Sequence, residues 1–271
     1  MAARHAQSRA RKRLSRRSKA VSGLALTTLV GTALWAWPAS GDDHNSRPDA
    51  KSGSSRTAAG PVTPATQHTA RDATTALRAI PELSDATRQR IPANTRQVLV
   101  VTGKSPDSYD SRVVLYTREE GADIWSPSPI WTAHNAAHGW TDDHRYGDLR
   151  SPQGVYTLTD AGGRLPAPAG TKLPYDHNDS FVAHGTGVEG EPLAGAFDYV
   201  IAINYNRVPG SSPLDGRRPL GDARGGGVWL HVDHDGPTQG CVSLKPEVMR
   251  QLLRTLDPAL HPVVVMGPAG H

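Results

Sequence analysis

The sequence has very little cysteine and few large aromatic side chains. Its 271 residues include one cysteine, Cys241, and two phenylalanines, and aromatic residues make up 6% of the chain. A single cysteine excludes an intramolecular disulfide framework and any four-cysteine zinc or iron–sulfur site. Hydrophobic residues reach 37%, while 27 glycines and 22 prolines interrupt the chain. This composition is too apolar for a wholly disordered chain and too rich in turn formers for a helical bundle.

Acidic residues are absent from the first 20 positions, which contain eight lysines and arginines. Because the whole chain has 30 basic and 26 acidic residues, the remainder holds 22 basic and 26 acidic ones. The formal net charge of +4 therefore belongs to the N-terminal tip. A basic nucleic-acid-binding face is not predicted for the rest of the chain, and we expect no nucleic-acid partner.

An uncharged apolar run, residues 21–38, follows the basic tip. This order is typical of a signal peptide or N-terminal signal anchor over residues 1–40, and small residues at 39–41 permit cleavage. The length of the run also permits retention as an anchor, so both outcomes stay open. Either outcome predicts an exported protein of the extracytoplasmic cell envelope, associated with the membrane only through this segment.

The rest of the chain divides by composition into three parts. Residues 41–70 contain one valine as their only large apolar residue, which predicts a disordered linker because too little surface is buried to offset ordering entropy. Residues 71–96 predict a short helical lead-in that Pro81 interrupts. Residues 97–271 form the predicted folded domain.

Short β-branched runs separated by turn-forming clusters dominate this domain. They predict strands at residues 97–103, 112–118, 154–159, 180–183, 198–204, 227–233 and 262–266. A helix is predicted at 246–256, where apolar side chains share one face and a proline occupies the first turn. Strands in series with one late helix predict a mostly β (α+β) domain.

Cys241 is the candidate nucleophile, and it follows Thr238, Gln239 and Gly240. Gly240 permits a tight turn that leaves the thiol open, and the predicted helix directs its N-terminal amides toward the sulfur, favouring the thiolate. His231, on the preceding predicted strand, is placed to accept the thiol proton. The amides of residues 239–241 are candidate oxyanion-hole donors. The alternative is an inert core cysteine, although an unpaired thiol in an exported protein argues for a function.

Two other polar clusters are candidate metal sites. The histidine- and aspartate-rich segments 134–144 and 231–235 lack zinc-ligand spacing on a helix, so we predict no metal and no cofactor; a zinc D,D-peptidase is the alternative. His184 is predicted to be a loop histidine. Tyr205, Arg207 and Arg224 are predicted substrate contacts, because arginine binds carboxylates at two points.

Three segments resemble the L,D-transpeptidase catalytic-domain (YkuD-like) family. GVWLHV (227–232) and GPTQGCVSL (236–244) resemble its signature of a strand-borne histidine and a [ST]-x-G-C turn. RSPQGVYTLTDAGG (150–163) resembles its upstream TP-x-G-x-F strand. The commonest family turn is S-H-G-C, but Gln239 replaces that histidine here and Ser243 replaces the usual Arg or Asn. Six residues separate His231 from Thr238, as in a short-loop T-x-G-C variant.

The resemblance implies a mixed β-sheet sandwich with one main helix after the cysteine turn. It implies an acyltransferase that acts on peptidoglycan stem peptides. Such an enzyme functions in cell-wall biogenesis or degradation and in cell shape. Cys241 would be the acylated nucleophile, and His231 would be its base, oriented by a backbone carbonyl. The acyl acceptor stays open between a second stem peptide, a protein amine, a D-amino acid and water, the last giving an L,D-carboxypeptidase. Carbapenem-type β-lactams are expected inhibitors, and a non-catalytic peptidoglycan- or envelope-binding module is the alternative.

Overall fold

A computed structural model describes residues 77–271 of the chain. The predicted signal segment, the linker and residues 71–76 of the lead-in lie outside the described residues. Within residues 77–271, no helix is long and apolar enough to cross a membrane.

The described residues form many short strands and two α-helices, α1 (Asp85–Gln89) and α2 (Pro246–Thr255). The strands are β1 (Gln97–Gly103), β2 (Asp110–Thr117), β3 (Ser126–Pro127), β4 (Trp131–His134), β5 (Trp140–Thr141), β6 (Ser151–Pro152), β7 (Gly154–Thr157), β8 (Ala161–Gly163), β9 (Tyr175–His177), β10 (Val200–Ala202), β11 (Trp229–Val232), β12 (Val242–Leu244) and β13 (Val263–Pro268). Short 3₁₀ turns cover Asp222–Arg224 and Pro258–Leu260.

Most strands belong to one 11-stranded mixed sheet, ordered β7-β13-β1-β2-β4-β12-β11-β10-β8-β9, with β3 paired to β2. The pairs β1–β13, β11–β12 and β8–β9 are parallel, and the remaining pairs of this sheet are antiparallel. Strands β5 and β6 form a separate parallel pair. The mostly β fold class with a mixed sheet and one main helix is therefore confirmed.

Strand β1 shows why its sequence is a continuous apolar run rather than an alternating one. Every residue of QVLVVTG is buried. Leu99 and Val101 pack into the main core, whereas Val98 and Val100 pack into a second cluster on the other face. Because successive side chains point to opposite faces, a strand covered on both sides needs apolar residues throughout.

Helix α2 covers the inner face of the strands that carry the candidate site. Its apolar stripe, with Leu256 just beyond its end, is buried against Leu230 of β11 and Val242 of β12. Pro246 occupies the first turn, where its missing N–H breaks no helical hydrogen bond. The predicted helix 246–256 is confirmed to within one residue.

Two sequence predictions differ from the structure. Residues 180–183 form no strand, because Phe181 is a single buried anchor in a turn, where its N–H donates to the Asn178 carbonyl. In the described part of the lead-in, α1 is the one helical piece; it is capped by Ser84, whose Oγ accepts a hydrogen bond from the Thr87 N–H. Leu77 instead pairs with Trp125 in an isolated β-bridge.

Candidate active site

The fold places His231 on β11 and Cys241 immediately before the adjacent parallel strand β12. His231 of β11 lies opposite Ser243 of β12, and Leu230 lies opposite Val242. Ser243 and His231 therefore share one face of the sheet, while Leu230 and Val242 are buried in the main core. Cys241 and His231 line one cleft of about 430 Å³. The predicted nucleophile and the predicted base are therefore brought together.

The cleft has three kinds of wall. One is the cysteine turn, a second is a run of glycines next to the β5–β6 connection that carries His144, and the third is the β9–β10 loop, which includes the exposed His184 predicted to be a loop histidine. The lining residues are His144, Tyr146, Gly147, Val182, Ala183, His184, Gly187, Val188, Leu193, Ala196, Phe197, Gly225, Gly226, Gly227, Val228, His231, His234, Pro237, Thr238, Gln239, Gly240 and Cys241.

The Cys241 thiol is held by two backbone groups. Its Sγ accepts from the Trp229 N–H at 3.4 Å and donates to the Gly227 carbonyl at 3.6 Å. Burial raises the pKa of the Cys241 thiol to about 11, and the Trp229 amide offsets this only in part. The resting thiol is therefore neutral at physiological pH.

The His231 imidazole is also neutral at rest. The side chain is almost fully buried, and its Nδ1 donates to the Val232 carbonyl at 2.9 Å. Because a carbonyl only accepts, this contact fixes the Nδ1–H tautomer and leaves Nε2 with a lone pair. Burial lowers the pKa of His231 to about 4, although the hydrogen bond to Val232 opposes the shift. The Val232 carbonyl is thus the backbone group that orients the His231 ring.

The expectation that α2 directs its N-terminal amides at the sulfur is wrong. Strand β12 separates Cys241 from α2, which begins only at Pro246. The dipole effect of a helix end acts within its first turn, so it does not favour the thiolate here.

The reactivity of the Cys241 thiol should show that it is neutral at rest. We expect the alkylation rate of Cys241 by iodoacetamide to rise about tenfold per pH unit between pH 7 and pH 10, because the thiolate fraction does so below the pKa. Mass spectrometry of the protein measures the rate at each pH, with the urea-unfolded chain as the control. An alkylation rate that does not change with pH above pH 7 would contradict the raised pKa of the Cys241 thiol.

Thr238 fixes the cysteine turn through its side chain and its backbone. Its Oγ1 donates to the Cys241 carbonyl at 2.7 Å and accepts from the Gly240 N–H at 3.3 Å. Its backbone N–H donates to the Asn135 carbonyl at 3.0 Å, which ties the turn to the end of β4. The Gly240 amide is therefore directed toward Thr238, and the amides of Gln239 and Cys241 remain the oxyanion candidates.

Gly240 does not have the unusual backbone angle that a tight turn at this position would require. Its φ lies outside the left-handed region, and Asp235 is the residue of this connection with a positive φ, of 60°. A Cβ on Gly240 would meet the His144 ring at 3.6 Å, an ordinary contact. Glycine at this position thus keeps space open beside His144 rather than permitting an unusual backbone angle.

The three predicted substrate contacts lie outside the residues that line the cleft. Arg207 is buried and forms an ion pair with Asp160 at 2.8 Å, with both side chains at most 5% exposed. The hydroxyl of Tyr205 donates to the Arg224 carbonyl at 2.9 Å, and the Arg224 guanidinium contacts Asp143. Arg207 is a structural ion-pair partner, and the other two residues form a layer behind the cleft wall.

The ion pair of Arg207 predicts a stability defect. Replacing Arg207 with alanine leaves the Asp160 carboxylate buried without its partner and should cost about 3–5 kcal/mol of unfolding free energy. Urea denaturation measures this cost, and Arg217→Ala, which breaks a more exposed pair with Asp215, is the matched control that should leave the midpoint nearly unchanged. An Arg207→Ala protein of wild-type stability with a raised KM would contradict this and support Arg207 as a substrate contact.

In both histidine-rich segments, histidine rings lie beside carboxylates. Burial raises the pKa of Asp233, but hydrogen bonds from His134 and Ser243 outweigh it and lower that pKa to about 2. The hydrogen bond with Asp233 in turn raises the pKa of His134. Nδ1 of His234 lies 3.2 Å from Glu191 Oε1. Among residues 77–271, no three histidine, cysteine or acidic side chains are grouped to hold a metal ion.

Sequence reasoning missed two further imidazoles that line the cleft. His234 stacks on His231 with ring centroids 5.6 Å apart and planes 10° from parallel. His144 reaches the cleft from the β5–β6 connection, far from Cys241 in the sequence. No local pattern identifies either residue, because a shared cleft arises only from the folded sheet.

Comparison with known proteins agrees with this geometry. The family model described as the L,D-transpeptidase catalytic domain (YkuD) matches residues 95–265, which is well over half of the chain and includes both strands of the candidate site. None of the curated proteins compared with it matches the chain. The chain therefore belongs to the L,D-transpeptidase catalytic-domain family.

Proposed function

We propose that this protein is an L,D-transpeptidase that cross-links peptidoglycan stem peptides through an acyl-enzyme on Cys241. The observation that carries the proposal is the presence, in one cleft, of a neutral thiol immediately before β12 and a neutral imidazole on the adjacent strand β11. The thiol has a proton to give, and Nε2 of His231 has the lone pair to receive it. Family membership supports the reaction class.

The first half-reaction loads the enzyme. The Sγ–H proton passes to Nε2 of His231 while the sulfur attacks the carbonyl at the L-centre of the third stem residue, which precedes D-alanine. The tetrahedral oxyanion is stabilised by backbone N–H groups of the turn, with Gln239 and Cys241 as donors. The C–N bond then breaks, and the D-alanine amine leaves with the proton from His231.

The second half-reaction transfers the acyl group. A side-chain amine of another stem attacks the thioester, the C–S bond breaks, and an amide joins the two stems. Carbapenem-type β-lactams would acylate the same sulfur. The basic tip and apolar run at the N-terminus support export to the cell envelope, where these substrates are found.

Incubation of the purified protein with a disaccharide-tetrapeptide stem tests the proposal. We expect release of D-alanine and a dimer that is lighter than two substrates by one D-alanine, measured by mass spectrometry, with Cys241→Ala as the inactive control. Tripeptide without dimer would instead identify an L,D-carboxypeptidase. Binding of the stem without release of D-alanine would identify a non-catalytic binding module and overturn the proposal.

A further inference from the structure

The cleft contains a buried imidazole, His144, that has no role in the proposed reaction of Cys241 with His231. His144 lies between β5 and β6, and its side chain is 6% exposed. It lines the same cleft as Cys241 and His231 but belongs to a different wall. A buried, titratable side chain at this place calls for a role of its own.

The free edge of the His144 ring lies between two glycines of the cleft. A Cβ on Gly225 would come within 2.9 Å of Nε2, and a Cβ on Gly240 would lie 3.9 Å from the same atom. Gly225 also has a φ of +63°, which favours glycine. Because neither residue carries a side chain, Nε2 is left uncovered beside the residue that precedes Cys241.

The other ring nitrogen lies beside a fixed carboxylate. Nδ1 of His144 lies 3.0 Å from Oδ1 of Asp148. Asp148 accepts hydrogen bonds from the N–H groups of Arg145, at 2.7 Å, and Arg150, at 2.9 Å. The Asp148 carboxylate electrostatically favours a proton on the nearer nitrogen, Nδ1, and this places the lone pair of neutral His144 on Nε2, the nitrogen beside the two cleft glycines.

The surroundings of His144 favour a neutral, well-positioned ring. Tyr205 packs edge-on against it, with centroids 5.4 Å apart, and its hydroxyl bonds to the carbonyls of His144 and Arg224. Burial lowers the pKa of His144; Asp148 and the Arg150 backbone oppose this shift, and the nearby Arg224 adds to it. The ring is therefore a base rather than a cation at physiological pH.

We propose that His144, oriented by Asp148, is the general base that deprotonates the acyl-acceptor amine. The assignment rests on the proposed function and concerns its second half-reaction. A C–N bond forms between the amine and the acyl carbon, and the amine proton passes to Nε2 of His144. The C–S bond breaks, and the Cys241 thiolate that leaves takes up a proton from solvent, while His144 returns its proton to solvent. His231 serves the thiol, and His144 serves the amine.

The two half-reactions can be measured separately on the full-length protein. The tetrapeptide stem acts as donor and acceptor, acid-quenched samples give the acyl-enzyme by intact mass, and chromatography gives released D-alanine and dimer. The variants are His144→Gln and Asp148→Asn, with His177→Gln, an exposed residue of β9, as the matched control. We expect His144→Gln to form acyl-enzyme at a rate within about threefold of wild type but to transfer it to the amine about 100-fold more slowly. Asp148→Asn should slow acyl transfer to the amine at least about tenfold and should likewise leave the rate of acyl-enzyme formation nearly unchanged.

Each outcome separates this proposal from the previous one. Transfer at the wild-type rate in His144→Gln, or an equal loss of acylation and transfer, would overturn the role of His144 and leave the Cys241 acyl-enzyme standing. If His144→Gln does not fold, Asp148→Asn alone decides by the same criteria. If the wild type releases no D-alanine, the proposed function itself fails and takes this assignment with it.

Discussion

Replacing Cys241 with serine is expected to abolish covalent loading and to lower D-alanine release by at least about a thousandfold. The hydroxyl is a much weaker nucleophile than the thiol, and the neutral His231 ring is too weak a base to ionise it. Incubation with a carbapenem followed by intact-mass measurement should show one adduct on the wild type and none on Cys241→Ser.

The serine variant differs by one atom, so its fold should be unchanged, and thermal unfolding serves as the control. An adduct of the same mass on Cys241→Ser, or D-alanine release at the wild-type rate, would show that another group is the nucleophile. Because Cys241 is the one cysteine of the chain, no second thiol complicates the mapping.

Replacing His231 with glutamine is expected to slow acylation by about 10²–10⁴-fold, the contribution of a positioned general base. Glutamine keeps a similar volume but offers no basic nitrogen to the Cys241 thiol. Acylation by a carbapenem, followed by intact mass over time, measures the rate. The exposed His177→Gln is the matched control and should retain the wild-type rate.

The pH dependence of acylation gives His231 a second signature. Since burial lowers the pKa of His231 to about 4, the neutral base is present above that pH and is lost as the pH falls through it. The acylation rate of the wild type should therefore decline below about pH 5. The acylation rate of His231→Gln should show no such decline. A His231→Gln protein that acylates at the wild-type rate, with the same decline, would exclude His231 as the base.

The sequence predicted those parts of the fold and of the candidate site that depend on local pattern. Strand β1 was predicted over its full length because a strand buried on both faces is a continuous apolar run. Helix α2 was predicted because its apolar side chains repeat at the helical period. Cys241 and His231 were identified because they lie in one short segment with a recognisable signature.

The parts that the sequence did not reveal depend on contacts between distant segments. Strand β12 has only three residues, too few to show a period, and its omission led to the wrong expectation of a helix end at the sulfur. Arg207 forms an ion pair with Asp160, and no sequence pattern around either residue predicts this pair. His144 reaches the cleft only because β5 and β6 position its loop there.

Trapping the loaded enzyme with its own substrate tests the central claim most directly. The wild-type protein is mixed with the tetrapeptide stem, quenched in acid within the first turnover, and analysed by intact mass and peptide mapping. We predict a mass increase equal to the stem minus D-alanine, located on the peptide that contains Cys241. Cross-linked product that accumulates while the protein mass stays unchanged, or an adduct on a peptide without Cys241, would contradict the account.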